Sequence, residues 1–247
     1  MTRSALRSRC RRALITGRAE SAARRQQGRT EQRNGRVAMS SGKATSWAYA
    51  EAYPQEDDVL LRARERSMAL RLRPVTPAVA ATLTVLAAAG QPRAAVEVGT
   101  GAGVSGAALL RGMPEDSVLT TIDTDIRALR AARETFREIG TQPRVRTISG
   151  RASLVLPRLS SASYDLVFLD AEPSNTLLYV DEAVRLLRRG GTLIVQDALD
   201  QDRVPDPVQR QDSTRVHREI HRMLREDERF VSAILTPGSG LFVAVRR

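Results

Sequence analysis

Residues 96–106 read VEVGTGAGVSG, a short apolar run followed by glycines at alternate positions. Such glycines permit a tight turn and a close approach of the backbone to a ligand. The small and apolar residues that follow suit the start of a helix. In open α/β sheets, ligands bind at the carboxyl ends of the strands, near the point where the strand order reverses. The stretch therefore predicts a strand–turn–helix unit with a binding site at its turn.

Apolar runs and amphipathic segments alternate through most of the chain. The apolar runs occupy 94–98, 118–122, 145–148, 164–169 and 192–196. Between them, apolar residues recur at helical spacing, first as Ile126, Leu129, Ala132, Phe136 and Ile139, then as Leu177, Val180, Val184 and Leu187. Near-continuous apolar strands separated by amphipathic helices predict a parallel sheet with helices on both faces.

Both ends of this region differ from its centre. Upstream, residues 56–72 and 77–89 are predicted to form extra N-terminal helices, the second of them starting at a proline preceded by a threonine cap. Downstream, a polar loop leads to a helix at 213–227 and to two strands, 229–235 and 241–246, joined by a hairpin-type turn. We expect an α/β, Rossmann-like fold with a seven-stranded, mostly parallel sheet and an antiparallel last strand.

Charge divides the chain near residue 43. Residues 1–43 hold eleven arginines and one lysine against two glutamates, a net formal charge of +10, whereas the remainder carries +1. A segment with so few large apolar side chains buries too little surface to offset its ordering entropy. We therefore expect a disordered, Arg-rich arm over 1–43 and one domain over 44–247. For the arm, translated sequence upstream of a start at Met39, a polyanion-binding role and a transit peptide all remain open.

Composition excludes several classes of protein. A chain of 247 residues suits one domain with a sizeable core. Because no apolar stretch is long enough for a membrane span and no export signal is evident, we expect a cytoplasmic protein. Cys10 is the only cysteine, which excludes a disulfide framework and a cysteine-based zinc site. The near-neutral body makes nucleic acid an unexpected partner.

The glycine turn fits two classes of cofactor. Residues 101–106 match the dinucleotide fingerprint G-x-G-x-x-G, but the match is displaced by two residues from Gly99, where the strand ends. Glu97 would repel a pyrophosphate and suit a cationic sulfonium. Asp123, at the end of the second strand, suits the ribose of either cofactor. Its alternative role is a helix cap, for which Asp125 is better placed, and a purely structural turn also stays open.

Six segments point to one family when taken together. They are VTPAV at 75–79, VEVGTGAGVS at 96–105, TTID at 120–123, SGRA at 149–152, YDLVFLDA at 164–171 and LLRRGGTLIV at 186–195. With them, the chain from about residue 50 to 247 resembles the class I, S-adenosylmethionine (SAM)-dependent O-methyltransferases of the catechol and caffeoyl-CoA type. It resembles an actinobacterial branch of that family more closely still.

The resemblance implies a cofactor-binding role for nine residues: Val75, Glu97, Gly99, Thr100, Gly103, Ser105, Asp123, Ala152 and Asp170. By resemblance, Val75 would pack against the cofactor and Glu97 would lie near its amino-acid end. The turn of Gly99, Thr100 and Gly103 would lie beneath it, and Ser105 would contact its carboxylate. Asp123 would hold the ribose and Ala152 would border the adenine. Asp170 would form the floor, facing both cofactor and acceptor.

The resemblance also implies a Mg²⁺ site and a lysine base, which this chain keeps only in part. Asp170 and Asp197 match the first two ligands of an Asp-Asp-Asn set, but Ala198 occupies the third position. Residues 171–174 read AEPS, so no lysine stands where the family base would be. Two carboxylates and water could still hold Mg²⁺, or Asp197 could merely end a strand. Both interpretations stay open, and no catalytic residue is assigned.

Two further groups of residues admit more than one interpretation. His217 and His221 lie four residues apart, but H-x-E-x-H is not the H-E-x-x-H zinc motif, so we interpret them as a helix-surface pair. Trp47, Tyr49 and Tyr53 precede the first predicted helix. They form either a lid over the acceptor or ordinary packing.

The favoured hypothesis is a SAM-dependent O-methyltransferase that methylates a hydroxyl of a small, aromatic acceptor. The alternatives are an NAD-linked Rossmann oxidoreductase and a SAM-binding protein with little catalytic activity. A nucleic-acid methyltransferase that uses the arm is disfavoured, because the folded body is not basic. The family further implies a homodimer formed through the N-terminal helices.

Overall fold

The helices and strands alternate as the sequence predicts. The computed structural model describes residues 41–247. In chain order, the elements are α1 Ser41–Ala52, α2 Asp58–Ala69, α3 Pro77–Gly90, β1 Ala94–Val98, α4 Val104–Gly112, β2 Val118–Asp123, α5 Ile126–Glu138, β3 Val145–Ser149, α6 Ala152–Val155, β4 Tyr164–Leu169, α7 Pro173–Leu186, β5 Leu187–Gln196, α8 Asp212–Glu226, β6 Phe230–Leu235 and β7 Leu241–Arg246. Short 3-10 turns at 142–144 and 156–158 precede β3 and follow α6.

Seven strands form one sheet in the order β3-β2-β1-β4-β5-β7-β6. The pairs among β1 to β5 are parallel, and β7 is antiparallel to both β5 and β6. The predicted mostly parallel sheet with an antiparallel last strand is confirmed. The strand order reverses between β1 and β4, so the carboxyl ends of these strands meet where ligand sites of open α/β sheets occur.

Each face of the sheet carries its own apolar core. Successive side chains of a strand point to opposite faces, so Ala95 of β1 joins one cluster and Val96 the other. The first cluster packs beneath α2 to α5, and the second beneath α7 and α8. The prediction of helices on both faces is confirmed. Within residues 41–247, no helix is long and apolar enough to cross a membrane.

Side-chain caps fix the starts of three helices. Asp57 accepts a hydrogen bond from the backbone N–H of Leu60, and Thr76 accepts one from Val79 immediately before the first-turn proline of α3. Asp125 accepts one from Arg127 at the start of α5. Each such cap contributes about 1 kcal/mol to helix stability.

Three predicted boundaries differ from the structure. Helix α2 spans Asp58–Ala69 rather than 56–72, because Arg71 adopts a left-handed φ of +58° that a helix cannot continue through. Strand β5 begins at Leu187, five residues earlier than predicted, so Leu187 belongs to a strand and not to the stripe of a helix. Ile126 is 56% exposed, so the buried face of α5 begins at Ala128 and Leu129 rather than at Ile126.

The predicted boundary between arm and domain falls inside an element. Helix α1 begins at Ser41, so the last three residues assigned to the 1–43 arm are helical. Residues 1–40, to which the rest of that prediction refers, lie outside the described residues. Residues 45–247 form one compact unit that contains the whole sheet.

Candidate active site

A cleft opens over the carboxyl ends of β1, β2 and β4, at the reversal of strand order. It encloses about 530 Å³ of space, part of it open to solvent. One wall is the loop between α2 and α3, including Arg73 and Val75, and the other is the glycine turn of 99–105. Asp123 and Asp170 lie at the strand ends between these walls. The cleft is thus where the sequence placed the ligand site.

The glycines of the turn serve different purposes. A Cβ on Gly99, whose φ is +95°, would overlap the backbone carbonyl oxygen of Asp170. A Cβ on Gly103, whose φ is +87°, would lie 3.1 Å from the Cα of Ala132 in α5. Gly101 also has a left-handed φ, +51°, but its Cβ would meet nothing within 4 Å. Close packing therefore requires the outer two glycines, whereas Gly101 presents bare backbone where the cleft is open.

Glu97 lies beneath the turn, fully buried in β1. Its two carboxyl oxygens accept hydrogen bonds of 2.6 Å from the hydroxyls of Ser105 and Thr121. The Thr121 hydroxyl also lies 2.6 Å from that of Thr100, which lines the cleft. Burial raises the pKa of Glu97 to about 7, against the opposing effect of these hydrogen bonds. Glu97 therefore joins the turn to β2 and to the start of α4, and it does not line the cleft.

Asp123 connects the end of β2 to the glycine turn. One carboxyl oxygen accepts from the backbone N–H of Gly101 at 3.0 Å, and the other accepts from that of Asp125 at 2.9 Å. The cap of α5 is Asp125, which excludes the alternative that Asp123 caps this helix. The Asp123 carboxylate is fixed in orientation and lines the cleft.

The other predicted cofactor residues divide between cleft and core. Val75 lines the cleft, and its carbonyl oxygen accepts a 2.6 Å hydrogen bond from Arg64. Ser105 also lines the cleft, although its hydroxyl donates to Glu97. Ala152 is buried at the start of α6 and does not line the cleft. It packs in the apolar cluster on the α7 side of the sheet.

Two carboxyl groups follow β4 and β5. The backbone N–H of Asp170 bonds to the Val98 carbonyl at 2.9 Å, which places Asp170 at the cleft floor. Desolvation raises the pKa of Asp170 to about 8, and the negative charges of Asp197, Glu97 and Asp123 act in the same direction. Asp197 has a left-handed φ of +57° and accepts a 3.2 Å hydrogen bond from Gln196.

The side chains present do not complete a three-ligand metal site. Ala198 is buried and offers no side-chain oxygen, while its backbone N–H is used by the Gly240 carbonyl. In the part of the chain that the structure describes, no three His, Cys, Asp or Glu side chains converge as metal ligands. Asp170 and Asp197 as Mg²⁺ ligands remain a prediction.

The interpretation of the two histidines as a helix-surface pair was wrong. His217 is only 3% exposed, and burial lowers its pKa against the charges of Asp200 and Asp197. His221 stacks on Phe242 with ring centroids 5.0 Å apart. Helical spacing could have revealed this, because His217 lies on the same face of α8 as the inward-facing Ile220.

A polar network that the sequence did not reveal holds the loop between β5 and α8. The buried Asp200 accepts hydrogen bonds from Arg203, Ser213 and Thr214. Arg218 of α8 donates to four backbone carbonyls in the same loop, those of Arg203, Val204, Asp206 and Gln209. The loop that begins at Asp197 is therefore tied firmly to α8.

Two of the three N-terminal aromatic residues border a different cavity. Trp47 donates to the carbonyl of Thr236 at 3.2 Å and lines an apolar groove between α1, α3 and β6, together with Tyr53. Tyr49 and Tyr53 are 71% and 72% exposed. The aromatic residues are therefore neither core packing nor part of the wall of the cleft over the glycine turn.

The chain matches known O-methyltransferases over nearly all of the residues that the structure describes. Residues 53–247 match the family model described as O-methyltransferase. "Probable O-methyltransferase Rv1220c" from Mycobacterium tuberculosis is 49% identical over 213 residues, which cover 86% of this chain and 95% of that protein.

Solved structures of other proteins share the fold of this chain. A protein from Corynebacterium glutamicum is similar with a TM-score of 0.74 and 33% identity, over 80% of this chain and 94% of that one. The O-methyltransferase TomG from Streptomyces achromogenes, which is involved in tomaymycin synthesis and was solved with SAM, has a TM-score of 0.74 and 27% identity, over 82% and 96% of the two chains. From its sequence and its fold, the chain belongs to the O-methyltransferase family.

Proposed function

We propose that this protein transfers the methyl group of SAM to a hydroxyl of a small, aromatic acceptor. The observation that carries the proposal is the cleft at the reversal of strand order, with the open backbone of Gly101 beside the fixed carboxylate of Asp123. When bound, SAM supplies an electrophilic methyl group on a positively charged sulfur. The family membership of the chain supports the same reaction.

The cleft residues suit an adenosyl sulfonium compound. Asp123 would accept hydrogen bonds from the ribose hydroxyls, and Gly101 would let the cofactor lie against the turn. Val75 and Thr100 would form the walls around it. Glu97, Ser105, Gly99 and Gly103 would hold the turn in shape from beneath, and Ala152 would support the end of the cleft from the core.

Charge favours a cationic cofactor over a dinucleotide. The Asp123 carboxylate lines the cleft beside the glycine turn, so the field there favours a sulfonium with an ammonium group and opposes a pyrophosphate. This supports SAM over NAD. For the transfer itself, the cleft would hold the acceptor oxygen in line with the methyl group and shield the pair from water. Asp170, at the cleft floor, would face both the cofactor and the acceptor.

Two assays test the proposal. In a thermal-shift screen, S-adenosylhomocysteine (SAH) should raise the melting temperature, and NAD should not. Isotopically labelled SAM should then label a member of a catechol and flavonoid panel, with Mg²⁺ and with EDTA in parallel. Stabilisation by NAD would favour the oxidoreductase. Binding of SAH without methylation of any panel member would favour a SAM-binding protein with little turnover.

We also propose that the protein is a cytoplasmic homodimer. The support for a dimer is the apolar groove beside α1, whose rim includes the exposed Val85 and Ile234 as well as Trp47. Light scattering should give the mass of two chains, and Val85→Asp should yield a monomer that still binds SAH. A wild-type monomer would contradict the proposal. Cell fractionation tests the location.

A further inference from the structure

Thr135 of α5 is a fully buried polar residue that the proposed function does not use. Its hydroxyl lies 2.9 Å from the backbone carbonyl oxygen of Ala102, in the middle of the glycine turn. Ala102 lines the cleft between Gly101 and Gly103, which both have left-handed φ values. The Thr135 hydroxyl therefore connects α5 to the part of the turn against which the cofactor would lie.

Arg66 of α2 determines where the Thr135 hydroxyl proton points. Its guanidinium donates to the Thr135 oxygen at 3.2 Å, and a guanidinium has donors but no acceptor. The hydroxyl must therefore accept from Arg66 and use its own proton elsewhere. Two backbone carbonyl oxygens lie within its reach, that of Ala102 at 2.9 Å and that of Ala131 at 3.3 Å, and the shorter distance favours Ala102.

Arg66 belongs to the helix that leads into the opposite wall of the cleft. Helix α2 continues into the loop that forms this wall, and Ser67, the residue after Arg66, itself lines the cleft. Arg66 and Arg62 both form ion pairs with Glu138 of α5, which hold the two helices together. Of these two arginines, only Arg66 reaches Thr135. The path from Arg66 through Thr135 to the turn therefore joins the two walls of the cleft from behind.

We propose that Thr135 is a positioning residue for the cofactor: together with Arg66, it fixes the Ala102 carbonyl and so holds the glycine turn in the conformation that binds SAM and SAH. This inference rests on the proposed function, which places the cofactor against the turn. Loss of the hydroxyl would leave the carbonyl of the buried Ala102 without its donor, so the turn would relax away from that conformation. A preorganised turn increases affinity, because binding then has less backbone to order.

Calorimetric titration of SAH into variants of the full chain tests the proposal. Thr135→Val keeps the shape of the side chain and removes the hydroxyl, so the affinity for SAH should fall about tenfold, the scale of one buried carbonyl left unpaired. Thr135→Ser should restore most of the affinity, which a role in filling space alone would not predict. Arg66→Ala removes the donor to the hydroxyl at a partly exposed position and should weaken SAH binding about threefold.

Each variant has a matched control. Thr84 of α3 is also a helical threonine whose hydroxyl bonds to a carbonyl of another helix, that of Ala108 in α4 at 2.9 Å, but it does not line the cleft. Thr84→Val should therefore lose stability in urea unfolding and still bind SAH like the wild type. Arg62→Ala removes the other ion pair with Glu138 and leaves the link to Thr135 in place, so it should also bind SAH like the wild type.

Four results would overturn the proposal. They are equal SAH affinity in wild type and Thr135→Val, no recovery in Thr135→Ser, equal losses in Thr135→Val and Thr84→Val, and equal losses in Arg66→Ala and Arg62→Ala, which would assign the effect to the shared Glu138. If Thr135→Val does not fold, the comparison of the two arginine variants decides. Failure of the wild type to bind SAH would instead refute the proposed function.

Discussion

Glu97→Gln offers a quantitative test of the buried carboxyl beneath the turn. Burial raises the pKa of Glu97 from 4.5 to about 7. A difference of about 2.5 units corresponds to about 3 kcal/mol of folding free energy, at 1.36 kcal/mol per unit. Well below pH 4.5 the carboxyl is neutral in both the folded and the unfolded protein, so its burial does not lower the free energy of unfolding. As the pH rises from 4.5 to 7, the folded state retains a proton that the unfolded state has lost, so stability falls and then levels off.

Glutamine has nearly the same shape and no proton to lose in this range. Its amide can still accept from one of the Ser105 and Thr121 hydroxyls and donate to the other. The free energy of unfolding of Glu97→Gln relative to wild type should therefore rise by about 3 kcal/mol between pH 4.5 and pH 8. At pH 4.5 the variant should be no more stable than wild type.

The assay is urea unfolding followed by circular dichroism at several pH values from 4.5 to 8. Glu115→Gln, at an exposed glutamate before β2, is the control for loss of one negative charge. Its difference from wild type should stay nearly constant. If the Glu97→Gln difference also stays constant, or moves in the opposite direction, burial of an ionisable carboxyl beneath the turn is refuted.

Further predictions concern the turn, the loop and the metal. Gly99→Ala should lower the free energy of unfolding by more than about 3 kcal/mol, because its Cβ would overlap the backbone of Asp170. Gly101→Ala should lower it by only about 1 to 2 kcal/mol, the cost of a left-handed φ in open space. Equal losses for the two variants in urea unfolding would contradict this prediction. Arg218→Ala should lower the free energy of unfolding by about 2 to 4 kcal/mol, because four backbone carbonyls lose their hydrogen-bond donor. Replacing the exposed Arg215 by Ala should lower it by less than about 1 kcal/mol, so similar melting temperatures for the two variants would contradict this prediction. If Asp170 and Asp197 bind Mg²⁺ as predicted, EDTA should lower turnover about tenfold or more and added Mg²⁺ should restore it, since Mg²⁺ keeps several waters; turnover within about twofold of the untreated protein would show that, with Ala198 in the third position, no metal is needed.

The sequence predicted the sheet well because its strands are buried on both faces. Continuous apolar runs such as 164–169 have one interpretation when turn residues and amphipathic helices flank them, and β4 spans those same residues. Leu187 was misassigned because it continues the apolar stripe of α7, although it is also the first residue of β5, whose next four residues, RRGG, are not apolar. Local periodicity cannot distinguish the two, whereas the pairing of Leu187 with Tyr164 does.

The site was less predictable because its contacts cross between elements. Glu97 lies opposite Thr121 in the register of β1 and β2, so one of its hydrogen bonds depends on strand pairing that the chain order does not state. The burial of His217 follows from helical spacing, but its proximity to Asp197 and Asp200 depends on how α8 packs on the sheet. Arg73 lines the cleft, but nothing in the sequence distinguished it from the other arginines of the same region.

Calorimetric titration of SAH into the wild-type protein and Asp123→Ala tests the central claim most directly. We expect one SAH site per chain in the wild type and an affinity about tenfold or more lower in the variant, because a charged hydrogen-bonding group in the cleft is removed. NAD should give no heat of binding with either. No uptake of SAH by folded wild-type protein, or equal affinity in the two proteins, would contradict the account.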